Sequence, residues 1–158
     1  MTVFNQILDN HILICAALGY IIAQIVKSII EVCVNREFSL HRLFTGNGGM
    51  PSSHSATVCA LATTTAFECG LSSPAFAIAV IFAIVVMTDA SGVRRETGKQ
   101  AVIINNLVEN FVKLTKMPFD QELAHEKLKE LIGHTPLQVQ MGAALGIVIA
   151  LVMHFYVW

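Results

Sequence analysis

The stretch GGMPSSHSATV, residues 48–58, places glycines, a proline, two hydroxyls and a histidine directly before an apolar helical run. Gly48 and Gly49 permit unusual dihedrals and close backbone approach, and PSSH then opens a helix. A helix N-terminus offers unpaired amide donors and the positive end of the macrodipole, which together suit an anion. Ser52 and Ser53 add hydroxyl donors, and His54 can give or take a proton near neutral pH. The plainer reading of the same residues is an N-cap from Ser52 or Ser53, with His54 merely at an interface.

Two further polar clusters stand at the ends of apolar runs. TDASGVRRETG, residues 88–98, carries Asp89, a small-residue turn and the adjacent Arg94 and Arg95. Arginine forks match phosphate oxygens, although an arginine pair at a span end also serves as a plain topology anchor. A carboxylate inside a span needs a partner, and an ion pair of Asp89 with Arg94 or Arg95 is the simplest one. GHTPLQVQMGAALG, residues 133–146, sets His134 just before a Pro136 helix start, Gln138 one turn along, and Gly142 and Gly146 four apart. That glycine spacing lets another helix pack closely, although GxxxG also arises often by chance.

These clusters must be positioned by membrane helices. Hydrophobic residues make up 54% of the 158 and charged residues only 13%, an apolar and charge-poor composition. One domain, residues 1–158, fits this length. A net charge of −1 gives no basis for bulk nucleic-acid binding. Cys15, Cys33, Cys59 and Cys69 lack metal-ligand spacing and read as small packing residues. No lysine or arginine precedes Lys27, and no small-residue cleavage pattern follows, which argues against a cleaved signal peptide.

The expected fold class is all-α, an integral membrane bundle of about four transmembrane helices with amphipathic cytoplasmic helices. The spans are residues 11–34, 54–69, 74–90 and 136–157. The second is rich in small residues and would barely cross about 30 Å of hydrocarbon at roughly 1.5 Å per residue. Pro74 and Pro136 stand where helices open. Between the last two spans, Val102, Ile103, Leu107, Phe111 and Leu114 show amphipathic periodicity over residues 97–116. A second short helix is expected over about 122–132, and both should lie on the membrane surface or the bundle without crossing.

All ten lysines and arginines fall in the loops or span ends of one side, from Lys27, Arg36 and Arg42 to Arg94, Arg95 and the lysines that follow. The positive-inside rule makes that side cytoplasmic and puts both termini outside.

GGMPSSHSA, SGVRR and GHTPLQVQMGAALG together resemble the divergent branch of the type 2 phosphatidic acid phosphatase and vanadium haloperoxidase superfamily, small bacterial and plant membrane proteins. The resemblance covers essentially the whole chain and implies residence in a bacterial inner membrane. Lys27 with Arg36 or Arg42 resembles the family's first motif at altered spacing, PSSH resembles the second with Ser53 at the usual glycine, and Ser91 with Arg94 or Arg95 and then His134 resembles the third. The arginines lie about forty residues before His134, so residues 96–132 look like a helical insertion on the cytoplasmic side, and Gln138 occupies the position of an aspartate.

The activity implied is hydrolysis of a lipid phosphate monoester or diphosphate from the cytoplasmic face through a phosphohistidine. His134 would attack phosphorus and His54 would protonate the leaving alcohol, with Gln138 and Asp89 as the remaining catalytic candidates. Lys27, Arg36, Arg42, Gly49, Ser52, Ser53, Arg94 and Arg95 would hold the phosphate, with no metal or other cofactor. Gln138 accepts a hydrogen bond but carries no charge, and an amide in place of the carboxylate of a hydrolase triad costs about 10⁴ in rate. Asp89 or Glu130 could supply the missing acid. The alternative is a weak or inactive relative that binds a phosphorylated lipid or anion, or supports transport or assembly. Four spans make a thin wall around a lipid site, so a homodimer is expected.

The one-sided cations generate a topology prediction. Single cysteines at Ser72 and Lys116, in a background without native cysteines, should label from opposite sides, Ser72 alone reacting with an impermeant reagent on intact cells. Reaction at Lys116 with Ser72 spared would reverse the orientation.

Overall fold

A computed structural model of the chain describes residues 3–35, 49–115, 128 and 133–158. Its elements are a short helix α1 (Val3–Leu8), α2 (His11–Asn35), α3 (Ser53–Cys69), α4 (Pro74–Ser91), α5 (Val93–Thr115) and α6 (Pro136–Tyr156). The chain is an all-α membrane helical bundle. His11–Cys33, the stretch from Pro74 that includes α4, and Pro136–Tyr156 are long and apolar enough to cross a membrane. Helix α3 has 17 residues and lies at the centre of the bundle, packed by α2, α4 and α6. The short helix expected over 122–132, and with it Glu130, lies outside the described residues, as do Arg36 and Arg42.

Local chemistry sets the helix boundaries. Ser52 caps α3, its side chain accepting from the Ser55 amide, and Gly70 ends that helix at φ +83°. Ser73 caps α4 ahead of Pro74, whose missing N–H costs nothing in a first turn. Thr135 and Gln138 form a reciprocal capping box at the start of α6. Gly92 alone separates α4 from α5, and its amide donates to Thr88 O at 2.8 Å. The two arginines therefore belong to the first turn of α5, where the sequence had suggested the end of the third span.

The packing of α3 rests on small residues. Cys15, Ala16, Gly19, Ala23 and Lys27 form the buried stripe of α2, repeating about every fourth residue. A Cβ on Gly19 would stand 3.0 Å from Ala56 O. On the other side, Cβ atoms on Gly142 and Gly146 would collide with Ser52 O and Ala56 O. The backbones of α3 and α6 thus touch where both helices carry minimal side chains, the arrangement expected in lipid, where association depends on close contact. Ala60, Cys15, Ile149 and Ala150 form one core cluster, and Val58, Cys59 and Ala83 another. Cys15 and Cys59 pack as expected, but Cys33, near the end of α2, and Cys69, the last residue of α3, are exposed. Large apolar side chains turn outward instead: Ile21, Ile25 and Ile29 on α2, and Ile78, Ile81 and Val85 on α4.

The end of the bundle away from the cations is tied by rings. His11 Nδ1 pairs with Glu68 Oε1 at 3.1 Å, and the His11 ring stacks on Trp158 at 4.0 Å. Phe67 stacks on His154 at 4.0 Å. These contacts join the start of α2, the end of α3 and the end of α6, which requires the start of α3, the end of α2 and the start of α6 to meet at the other end.

The glycine contacts yield a stability prediction. Gly146→Ala puts a methyl against an immobile carbonyl and should cost about 1–3 kcal/mol of overpacking, lowering the thermal midpoint in detergent. Ala144→Val, on the exposed side of α6, should stay within about 0.5 kcal/mol. Equal midpoints for the two variants would contradict the close α3–α6 contact.

Candidate active site

Three helices begin at the cation-rich end: α3 at Ser53, α5 at Val93 and α6 at Pro136. Their first turns are linked directly. The Ser52 amide donates to Gln138 O at 3.1 Å, joining the start of α3 to the start of α6. The His134 amide donates to Ala90 O at 2.9 Å, joining the segment before α6 to the last turn of α4. Gly133, at φ +106°, lies so close to the α5 start that a Cβ there would stand 2.7 Å from the Arg94 carbonyl carbon. Only glycine meets both the dihedral and the space at this position. The first turns of three helices, with their positive dipole ends, thereby meet near His134.

The cationic side chains complete the geometry. Lys27, the last member of the buried α2 stripe, is 9% exposed and lies along Gly49, whose Cβ would stand 2.8 Å from Lys27 Cε. Gly49 has φ +89°, so it too favours glycine on conformational grounds. Arg94 Nε donates to Asp89 Oδ2 at 2.6 Å, so of the two arginines open to it in the sequence, Asp89 pairs with Arg94. Lys27, Arg94 and Asp89 all lie close enough to act electrostatically on His54, which is itself exposed at the α3 start. Arg95 is exposed and acts on Glu96 instead.

His134 is 9% exposed, and its Nδ1 is buried without a hydrogen-bond partner among the described residues. Burial pushes its pKa below the ordinary histidine value; the nearby Gln138 opposes this, and Lys27, His54 and Arg94 add to the lowering. The imidazole is therefore neutral at neutral pH, the form in which a ring nitrogen can act as a nucleophile. Gln138 Oε1 accepts from the Thr135 amide at 2.8 Å. Ser52 is likewise occupied, its Oγ accepting from Ser55 Oγ at 3.0 Å, and Ser53 is buried beside it. Among the described residues, no three His, Cys, Asp or Glu side chains gather as metal ligands.

The structure thus brings together His134, His54, Lys27, Gly49, Ser52, Arg94, Asp89 and Gln138, and leaves Arg95 exposed beside Glu96. Sequence reasoning did not include Ala90 O, Gly133 or Thr135. Gly133, a glycine directly before a histidine and a proline-opened helix, was the available signal.

A model of the divergent PAP2 family matches residues 8–149. The chain belongs to this family. It is also 43% identical, over 156 residues, to the uncharacterized membrane protein YuiD of Bacillus subtilis, an alignment covering 96% of this chain and 98% of that one. No solved structure matches. Membership of the divergent PAP2 family makes the chain a membrane protein related to phosphatases.

The electrostatics of His134 give a prediction. Its imidazole, followed by ¹⁵N NMR with labelled histidine in micelles, should titrate below the ordinary histidine range of about 6.5. Lys27→Met should move that midpoint upward by removing a neighbouring positive charge. An unchanged midpoint would mean that Lys27 does not face the imidazole.

Proposed function

We propose that the chain is a membrane phosphatase that hydrolyses a lipid phosphate monoester or diphosphate at the cytoplasmic face through a phosphohistidine. The observation that carries this reading is the meeting of a buried neutral histidine, a second exposed histidine, Lys27 and Arg94 with three helix starts. A phosphoryl group there faces amide donors and cations in a site of restricted solvation, where charge stabilisation is stronger than in water. A ring nitrogen of His134 attacks phosphorus, a P–N bond forms, and the P–O bond to the leaving alcohol breaks. His54 delivers its proton to that oxygen. It then takes a proton from the water that attacks phosphohistidine, releasing inorganic phosphate and restoring His134. Lys27 and Arg94 hold the nonbridging oxygens, Arg94 doing so while oriented by Asp89.

A second reading is favoured by one observation: no carboxylate meets His134 Nδ1 among the described residues, Asp89 being engaged with Arg94. The same site without an orienting acid is an anion-binding site of low turnover.

Purified protein in lipid vesicles should release phosphate from lipid phosphates in a vanadate-sensitive manner. His134→Ala should abolish turnover while Arg94→Ala weakens vanadate binding about tenfold or more, as loss of a charge-assisted contact of roughly 1.5–3 kcal/mol requires. Saturable lipid-phosphate binding without turnover, lost in Arg94→Ala, would establish the binder instead. Neither turnover nor binding would overturn both readings.

A further inference from the structure

Helix α5 has two apolar sides that differ in what covers them. On one side Ala101 is buried and Val108 and Val112 are partly buried. Next to them, Asn105 clamps the main chain of residue 128, its Nδ2 donating to Leu128 O at 3.0 Å and its Oδ1 accepting from Leu128 N at 3.1 Å. On the other side Ile103, Ile104, Leu107 and Leu114 are bare, Leu107 and Leu114 being 62% and 83% exposed. At about 100° of rotation per residue these four fall within an arc of roughly 100°, a broad stripe rather than a narrow coiled-coil seam. Beyond the stripe lie Arg95, Lys99, Asn106, Asn110 and Lys113.

We propose that the bare side of α5 is seated in the lipid interface of the same bilayer that its neighbour α4 crosses. Three observations select lipid as the occupant. Only Gly92 separates α5 from α4, so the helix begins at the membrane boundary. Helix α4 itself exposes large apolar side chains, among them Ile78, Ile81 and Val85, and no linker separates it from α5. Apart from Arg94, which is paired with Asp89 at the site, α5 carries three cations, Arg95, Lys99 and Lys113, against Glu96 and Glu109, an excess of one that suits anionic headgroups. Lys99 pairs with Glu96 at 2.6 Å and Lys113 with Glu109 at 2.8 Å, while Arg95 extends the rim towards the first turn. Seated this way, α5 fixes the depth of its first turn, from which Arg94 reaches the candidate site, although the lipid contact does not depend on any activity there.

The test uses full-length protein without native cysteines in vesicles of phosphatidylethanolamine and phosphatidylglycerol, carrying a nitroxide at Leu107→Cys, Ile104→Cys, Asn106→Cys or Lys99→Cys. Labels at 104 and 107 should collide with oxygen more than with a water-soluble nickel chelate, and labels at 99 and 106 should show the reverse. Thermal midpoints of the four proteins, compared with the unlabelled parent, report that each is folded. Nickel collisions dominating at all four positions would overturn the proposal by placing α5 in water. Spin–spin broadening at 104 and 107, lost on dilution with unlabelled protein, would overturn it in favour of a second copy of the chain.

Discussion

The contact on which the molecule depends is between backbones. Ala56 O is approached by Gly19 from α2 and by Gly146 from α6, and Ser52 O by Gly142, so α3 is held on two sides with almost no side chain intervening. In hydrocarbon, apolar side chains gain little by leaving lipid for one another, and close dispersion contact takes over. The arrangement also fixes α3 along its axis. A carbonyl lodged over a glycine does not slide by a residue without meeting a methyl or larger group. The first turn of α3 is consequently held in register with the first turn of α6, as the Ser52–Gln138 main-chain bond requires.

That register brings positive ends together, which is unfavourable unless something else holds them. The starts of α3, α5 and α6, with Lys27 and Arg94, repel one another in a poorly solvated region. Asp89 offsets part of the charge through Arg94, and the main-chain bonds from Ser52 to Gln138 and from His134 to Ala90 carry the geometry. In the proposed function, a site assembled against its own repulsion would favour an entering anion. Burial of His134 acts in the same sense, because it keeps the imidazole neutral and adds no further cation.

Much of this was legible in residue types. Pro74 and Pro136 marked two helix starts to the residue, and GxxxG at Gly142 and Gly146 indicated a close helix contact without naming its partner. PSSH gave the start of α3, where Ser52 is the cap of the plainer reading and His54 stands within electrostatic reach of Lys27 and Arg94. The pairing of Asp89 was open between two neighbours, since a span-end carboxylate reaches either arginine, and only the turn at Gly92 selects Arg94. Gln138 illustrates the limit. Its place four residues after His134 suggested an orienting role, yet the capping box with Thr135 engages the same oxygen, and a capping pattern and a catalytic pattern are written with the same residues. Lys27 was visible as a charge near a span end. Its burial follows from its place in the four-residue repeat begun by Cys15.

Helix α3 spans about 25 Å at roughly 1.5 Å per residue, whereas α2 and α6 reach about 37 Å and 31 Å. Hydrocarbon about 30 Å thick is matched by the outer helices and not by the central one. Because the ring contacts anchor the far end of α3 beside those of α2 and α6, the shortfall gathers at the end that carries the histidines. The bilayer around the molecule therefore either thins on that side or leaves the polar start of α3 below the mean headgroup plane. Hydrophobic mismatch of this kind costs fractions of a kcal/mol per ångström, enough to make acyl-chain length a setting of how deeply the polar end is immersed. Thin membranes would bring headgroup and helix start level, and thick ones would draw them apart.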